Sequence, residues 1–374
     1  MSPYSVVHVY KGYPPVHGGI EGHVDLLTQR LVRRGVRAQV LCVRAPGTAR
    51  REERYGVLVQ RCTNALTLAS TPLPPLLPFA LRRSEADIVH LHLPWPPAEV
   101  AWLLGGRARP LVLTVHCEAV RQARLARLLR PLSRRVFAAA DRILVTGAFM
   151  RDAPFLAPYR ARIDVVPLGV DLDHFRPDPR ADDPLPDVPH PRIVFVGRLR
   201  HYKGLPVLAA ALAQLPHARL IVVGDGPERG TFERAVAAYG CRDRAQVLGD
   251  VDDDRLLRIL QTADAAALPS TSHAEGFGLA IAEAQACGVP AVTTAVGTGT
   301  AQTVADGVSG RVVAPNDVAA LTAGLAWCLD PTQAAARRAA ARRHAETALS
   351  AERMTDAVVQ VYGQLMSRTS SRAG

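Results

Sequence analysis

A chain of 374 residues exceeds one ordinary domain, so two domains of roughly 150 to 200 residues are expected. A hydrophobic share of 48% against 21% charged residues gives enough apolar surface for two cores and excludes global disorder. Lys and Arg total 45 and Asp and Glu 34, a net +11 concentrated before Pro189, where 26 basic residues face 17 acidic ones; this points to anionic substrates, an anionic membrane surface or nucleic acid.

The N-terminus enters a short apolar stretch, Val6 to Val9, without the basic segment and long apolar core of a signal peptide, so secretion is not expected. Apolar and β-branched runs then alternate with helical patterns: Val6 to Tyr10, Ala38 to Val43, Asp87 to His92, Leu111 to His116, Arg142 to Thr146 and Ile163 to Val166. That alternation predicts a parallel sheet wrapped by helices. The uncharged run Ala65 to Leu81 carries Pro72, Pro74, Pro75 and Pro78 and is expected to be a loop rather than a membrane span. A proline-rich, aspartate-rich stretch over 168–192 is expected to be a linker. Beyond it the pattern restarts with Ile193 to Val196, Arg219 to Val223, Ala245 to Leu248, Ala263 to Leu268, Pro290 to Thr293 and Gly310 to Val313, and a helical segment closes the chain before a polar tail. The expected domains are therefore 1–167 and 193–349, with 350–374 as a terminal helix and tail. The six cysteines form no C-x-x-C pair or zinc-like spacing and read as buried apolar residues of a reducing compartment.

Chemistry concentrates at three places. Gly18-Gly19 stands between the first strand and a helix, where bare backbone allows close approach of a phosphate to the helix N-terminus. Arg198 directly follows a strand and Lys203 comes five residues later, two cations at the sheet edge where open α/β folds bind ligands and where a diphosphate leaving group would need neutralising. In the run Glu275-Gly276-Phe277-Gly278-Leu279, a carboxylate precedes a glycine nest at a helix start, and Glu283 follows about two turns into that helix. Two carboxylates flanking a phosphate-sized nest suit a ligand with hydroxyls at both ends.

Taken together and in order, Gly18-Gly19 with His23, Thr114-Val115-His116, Pro167-x-Gly169-Val170-Asp171, Gly197-Arg198 with Lys203-Gly204, Gly224-Asp225-Gly226-Pro227 and the pair Glu275/Glu283 resemble the retaining GT-B glycosyltransferases of family 4. The resemblance implies an α/β GT-B fold of two Rossmann-like domains facing a cleft, the second holding a nucleotide sugar and the first an acceptor, with the terminal helix crossing back onto the first. It further implies that Glu283 binds the ribose hydroxyls, Glu275 the donor sugar, and Arg198 and Lys203 the departing diphosphate. Backbone of Gly276, Phe277, Gly278 and Leu279 would lie along sugar and diphosphate, Gly18 and Gly19 would join the donor site, Val251 would border the base, and His116 would reach the sugar. No metal and no cofactor beyond the donor is expected: Asp171-x-Asp173 lies at the linker entrance, and Asp252-Asp253-Asp254 lies in an acidic helix start that suits the macrodipole.

Leu168 departs from the asparagine usual before Gly-Val-Asp, and Gly297-Thr298-Gly299-Thr300 replaces the usual Gly-Gly-x-x-Glu loop. The latter, with the opening Val7 to Lys11, is similar to a subgroup adding mannose- or rhamnose-type residues from GDP-sugars to bacterial surface polysaccharides. Expected acceptors are a glycan, a lipid-linked glycan or a small metabolite; UDP-sugars are the alternative donor. The stretch Arg121 to Arg135 has six arginines and no acid, with leucines at helical spacing, and is a candidate contact with anionic membrane in an otherwise cytoplasmic protein. The rival readings are a sugar-nucleotide epimerase of the same architecture and a basic nucleic-acid-binding protein. Against the second, the arginine-rich stretch carries no interleaved aromatics, and nucleic acid is not an expected partner.

Overall fold

The computed structural model describes residues 4–16, 18–68, 71–116 and 123–373, and the chain packs as two units: one runs to Leu168 and resumes at Ala351, the other spans Gly169 to Ser350.

In the first unit the strands are β1 (Ser5–Val9), β2 (Arg37–Val43), β3 (Arg51–Arg54), β4 (Val57–Cys62), β5 (Leu66–Leu68), β6 (Thr71–Leu73), β7 (Ile88–Leu93), β8 (Leu111–Val115), β9 (Arg142–Val145) and β10 (Ile163–Val165). Eight form one sheet in the order β10-β9-β8-β7-β1-β2-β4-β3, parallel throughout except for β3 against β4. Every residue of β1, β7 and β8 is buried, as central parallel strands covered on both faces must be. Helices α1 (Gly19–Arg33), α2 (Leu77–Arg83), α3 (Pro96–Gly105), α4 (Ala123–Ala139) and α5 (Ala148–Arg151) surround it.

Alternation along each strand sorts the side chains. Val6, Ile88, Val112 and Leu144 pack with Leu27 and Leu31 of α1 and with Met354, Val358, Tyr362 and Leu365 of the C-terminal helix, Ala351–Ala373. Their neighbours Val7, Val89, Leu111 and Leu113 face α2, α3 and α4 through Leu77, Leu81, Trp102 and Val136. Arg30 of α1 and Arg34 just after it form ion pairs with Glu352, and Arg34 also pairs with Asp356, tying the C-terminal helix to α1.

Two local structures escaped the sequence pattern. The proline-rich run expected as a loop contains the β5–β6 hairpin and α2, and Pro78 is tolerated because it sits in the first turn, where no intrahelical amide donor is needed. The charged β3 has no hydrophobic alternation; it is an edge strand, joined to β4 by Tyr55 and Gly56, both at positive φ.

The second unit contains β11 (Arg192–Val196), β12 (Arg219–Val223), β13 (Ala245–Gly249), β14 (Ala265–Leu268), β15 (Ala291–Thr294) and β16 (Gly310–Val313) in the order β13-β12-β11-β14-β15-β16, all parallel. Helices α6 (Leu205–Ala213), α7 (Arg229–Ala238), α8 (Asp253–Thr262), α9 (Leu279–Ala286), α10 (Val318–Leu329) and α11 (Ala334–Ala348) pack around a core that includes Phe195, Ile221, Leu260, Ile281, Val292 and Leu325. The segment expected as a linker is mostly part of this unit. Phe175, Leu185 and Val188 pack on its core, and buried Arg192 forks onto Asp183 at 2.7 and 2.8 Å while donating to the Leu185 carbonyl at 2.6 Å. The two passages of the chain between units run side by side here, Val170 donating its N–H to the Leu349 carbonyl at 2.7 Å.

In both sheets the strand order reverses beside the first strand, between β1 and β7 and between β11 and β14. Loops leaving the carboxyl ends of such a pair diverge and open a crevice. Gly204 heads α6 at one of these edges with φ +70, and a Cβ there would lie 1.9 Å from the Pro269 carbonyl oxygen. Gly204→Ala should therefore cost roughly 2 to 4 kcal/mol of stability. Urea denaturation will measure it, and an unchanged midpoint would mean that the turn relaxes freely.

Candidate functional site

At the carboxyl edge of β11 the chain passes Gly197 and exposed Arg198 and makes a short turn over His201–Lys203 before α6. At the neighbouring edge of β14 it runs through Pro269 and Ser270 toward Glu275. The Thr271 N–H donates to the Tyr202 carbonyl at 2.7 Å, so the two loops are stitched together. Lys203 Nζ consequently lies 2.5 Å from Glu275 Oε2, with about a tenth of each side chain exposed, and Ser270 Oγ donates to the same oxygen at 3.1 Å. Burial opposes the charge on Lys203, but the Glu275 carboxylate outweighs it and holds the ammonium above its usual pKa. Arg198 forms no ion pair among the described residues.

Glu275 leads into Gly276, buried Phe277 and Gly278, which caps α9 at φ +84 with no side-chain hydrogen bond to the first turn. The helix start is left to backbone N–H groups, and Leu279 is its first residue. The departure loop supports this nest: Gly299 donates its N–H to the Gly276 carbonyl at 3.0 Å, and a Cβ on Gly299 would fall 2.5 Å from the Phe277 ring. Glu283 is partly buried on the second turn of α9. Burial, with a smaller contribution from Asp253, pushes its carboxyl up to about 8. Val251 is partly buried against the core just before α8. The aspartates act locally: Asp252, expected at a helix start, caps α8 by accepting the Arg255 N–H at 2.8 Å, and Asp171, expected at the linker entrance, accepts the N–H groups of Asp173 and His174.

The first unit places Gly18 and Gly19 at the exposed start of α1, where a Cβ on Gly18 would lie 2.2 Å from the folded-back carboxylate of Glu21. His116, at the end of β8, is buried and belongs to a row of imidazoles. His8 Nδ1 is 3.0 Å from His92 Nε2, and His92 Nδ1 is 3.0 Å from His116 Nε2. His90 stacks on His92 and bonds through its two nitrogens to Tyr362 Oη at 2.5 Å and Thr114 Oγ1 at 2.6 Å. Burial keeps all of these rings neutral, with His8 lowered to about 3 and His23 to about 4. In a neutral chain each bond has one donor nitrogen and one acceptor, so the tautomers of His8, His92 and His116 are coupled. His8 Nε2, His116 Nδ1 and both nitrogens of His23 are buried and have no hydrogen-bond partner among the described residues.

Among the described residues, only His8–His90–His92 and His23–His92–His116 gather three metal-ligating atoms within 4.8 Å of one another, and neither group includes the aspartates. The sequence reading singled out His116 and His23 but missed His8, His90 and His92. Their signal was present: polar rings inside otherwise apolar strands, two of them at i and i+2 and so on one face. Of the predicted residues of the second unit, Lys203 and Glu275 meet directly, and Glu275, Gly276, Phe277 and Gly278 lead into α9, which carries Leu279 and Glu283; Arg198 and Val251 lie on the loops after β11 and β13, and Gly18, Gly19 and His116 belong to the first unit.

Comparison with known proteins bears on this arrangement. The model described as "Glycosyltransferase Family 4" matches residues 17–174, and that described as "Glycosyl transferases group 1" matches 181–345. The D-rhamnosyltransferase WbpZ of Pseudomonas aeruginosa is 32% identical over 336 residues, 88% of this chain and 88% of its own. The chain belongs to glycosyltransferase family 4. The O-antigen chain mannosyltransferase C of Escherichia coli is 29% identical over 378 residues, covering 96% of this chain and 98% of that protein. Anabaena Alr3699/HepE, solved with UDP-glucose, superposes with a TM-score of 0.80 at 20% identity over 96% of this chain and all of its own, a likeness of fold. The protein is a GT-B hexosyltransferase of the type that uses nucleotide sugars. Among the described residues no helix is long and apolar enough to cross a membrane.

The neutral histidines have a consequence for stability. A histidine whose folded pKa lies below its unfolded value of about 6.5 takes up a proton only on unfolding, so stability is full above that value and is lost as pH falls toward the folded pKa. Each pH unit below about 6 should cost roughly 1.4 kcal/mol per histidine that stays neutral. Denaturation between pH 7 and 4.5 should show this decline and a shallower one in His8→Asn. A flat profile would mean that the rings protonate without unfolding.

Proposed function

We propose that this glycosyltransferase moves a mannose- or rhamnose-type residue from a GDP-sugar to a glycan hydroxyl, retaining the anomeric configuration. The observation that carries the reading is the Lys203–Glu275 pair at 2.5 Å beside the glycine-headed α9. A cation, a carboxylate and bare N–H groups on adjoining loops at a strand-order reversal support their reading as partners for phosphate, sugar hydroxyls and phosphate oxygens. The names of the relatives, a rhamnosyl- and a mannosyltransferase, support the sugar class and a surface-polysaccharide acceptor.

In this scheme Glu283 accepts hydrogen bonds from two ribose hydroxyls, Val251 borders the base, and backbone at Gly276, Phe277, Gly278 and Leu279 follows the diphosphate and sugar. As the sugar–oxygen bond breaks, Arg198 and Lys203 stabilise charge gathering on the leaving diphosphate, a task the proposal gives to these cations rather than to a metal ion. The acceptor hydroxyl attacks from the face the phosphate is leaving, and its proton passes to a departing phosphate oxygen. Lys203 is held protonated for this work by Glu275 until phosphate competes for it.

The test is thermal stabilisation and slow donor hydrolysis with GDP-, UDP-, ADP- and dTDP-sugars; GDP-mannose should stabilise most. Stabilisation by a UDP-sugar alone would reassign the base. Lys203→Ala should lower turnover by roughly a hundredfold or more with a smaller effect on nucleotide affinity. Glu275→Gln should spare free GDP and damage sugar-dependent binding.

Because Glu283 is neutral below about pH 8, GDP affinity should rise as pH climbs from 7 to 9 while the carboxylate forms. Glu283→Gln should weaken binding by about 1.5 to 3 kcal/mol at high pH and flatten the profile. Titration calorimetry at three pH values checks both, and an unchanged profile in the variant would remove the ribose assignment.

A further inference from the structure

Helices α2, α3 and α4 form one side of the first unit. At the α2–α3 contact, a Cβ on Gly105 would lie 2.3 Å from the Pro78 carbonyl oxygen and 3.3 Å from Arg82 Cβ. At the α3–α4 contact, Ser133 Oγ donates to Glu99 Oε2 at 2.6 Å. The outer rows of α2 and α3 repeat one pattern. Leu76, just before α2, and Phe79 within it are 59% and 61% exposed, one turn apart, and are followed by exposed Arg82 and Arg83. On α3, Val100 and Leu104, the latter 68% exposed, are followed by exposed Arg107. Leu66 and Leu68 of the β5–β6 hairpin leading into α2 are also exposed. Arg130, Arg134 and Arg135 are exposed on the described part of α4, which runs on through Pro131. The candidate stretch Arg121 to Arg135 begins outside the described residues.

The three helices contain a single acid. Glu99 is buried, and burial pushes its carboxyl up to about 7 despite the hydrogen bond from Ser133. The first acid beyond α2 is the exposed Glu85. Arg82 and Arg107 line one cleft with Ser84, Leu104, Gly105 and Ala108, and neither forms an ion pair among the described residues. Large exposed apolar side chains set one turn from unpaired arginines, with no exposed acid on the same helices, match an interface whose outer layer is anionic and whose interior is hydrocarbon. We infer that the α2–α3–α4 face docks reversibly on an anionic phospholipid bilayer, with Phe79 and Leu104 entering the headgroup–acyl boundary and the arginines contacting lipid phosphates. Charge complementarity selects this occupant over a second copy of the chain, whose identical face would bring arginines against arginines. The inference is independent of the proposed donor, since vesicle binding and nucleotide binding are read separately.

The test uses the full chain with vesicles of phosphatidylcholine and of phosphatidylcholine with phosphatidylglycerol. The protein should sediment with the anionic vesicles, less so as salt rises, and remain in the supernatant with the neutral ones. Arg82→Ser with Arg107→Ser should lower anionic binding roughly tenfold or more. Phe79→Ser with Leu104→Ser should remove the part that resists salt. Both variants should keep the wild-type circular dichroism and GDP stabilisation. As a gain-of-signal measurement, Phe79→Trp should shift its emission to the blue on anionic vesicles and be quenched by brominated lipid. Equal binding to neutral vesicles, no binding at all, or wild-type binding by both double variants would overturn the inference. So would salt-insensitive self-association that Phe79→Ser with Leu104→Ser abolishes, which would make the face an interface between copies.

Discussion

Everything chemical in this protein depends on one constraint of its sheets: parallel strands need right-handed crossovers, so successive strands can spread to only one side of the first strand until the chain reverses. Both units obey it, with β1 and β11 as the strands beside which the order turns. The loops leaving the carboxyl ends of β11 and β14 diverge, and backbone that would otherwise be covered becomes available there. Arg198, Lys203, Ser270, Glu275 and the head of α9 all come from these two edges. In the first unit His8 and His92 come from β1 and β7, the equivalent pair.

The two edges solve the problem of burying polar groups differently. In the second unit opposite charges are brought together: Lys203 and Glu275 neutralise one another and Ser270 satisfies the carboxylate further, so neither is left uncompensated. Such a pair adds little net stability, but it fixes two side chains on separate loops in one geometry. In the first unit no ion pair to these rings is found among the described residues, and the imidazoles remain neutral and satisfy one another in a row from His8 to His116. The remaining open nitrogens, on His23 and at the two ends of the row on His8 and His116, mark where the self-satisfaction stops.

Family membership and geometry contribute separate things. The family makes the chain a glycosyltransferase; the geometry shows how this version supports its glycine nest without the usual acidic loop. Gly299 closes on Gly276 and Phe277, while Thr298 and Thr300 share a hydrogen bond and Thr300 donates to the Thr294 carbonyl. A compact, uncharged brace thus stands where a carboxylate is usual, leaving Glu275 before α9 and Glu283 within it as the acids of this segment.

The amino-acid pattern by itself determined the alternation of strands and helices, because fully buried parallel strands must be nearly continuous apolar runs, and it marked the glycine turn that heads α9, because the left-handed backbone at Gly278 favours glycine. Local spacing placed Lys203, Glu275 and Glu283 near helix starts. It did not show that Lys203 and Glu275 touch, since 72 residues separate them and only adjacency of β11 and β14 joins their loops. The edge strand β3 was illegible because none of its residues is buried, so neither face selects apolar side chains, and α2 was hidden by prolines whose cost depends on their place in the first turn. The proline-rich stretch after Gly169 reads as solvated because Arg192, which clamps it, lies at its far end. The histidine row needed the register of β1, β7 and β8 before single rings in separate strands became one chain. Local sequence fixes which residues can bend, cap or cross a sheet; which of them meet is decided by strand order, a long-range property that no short window contains.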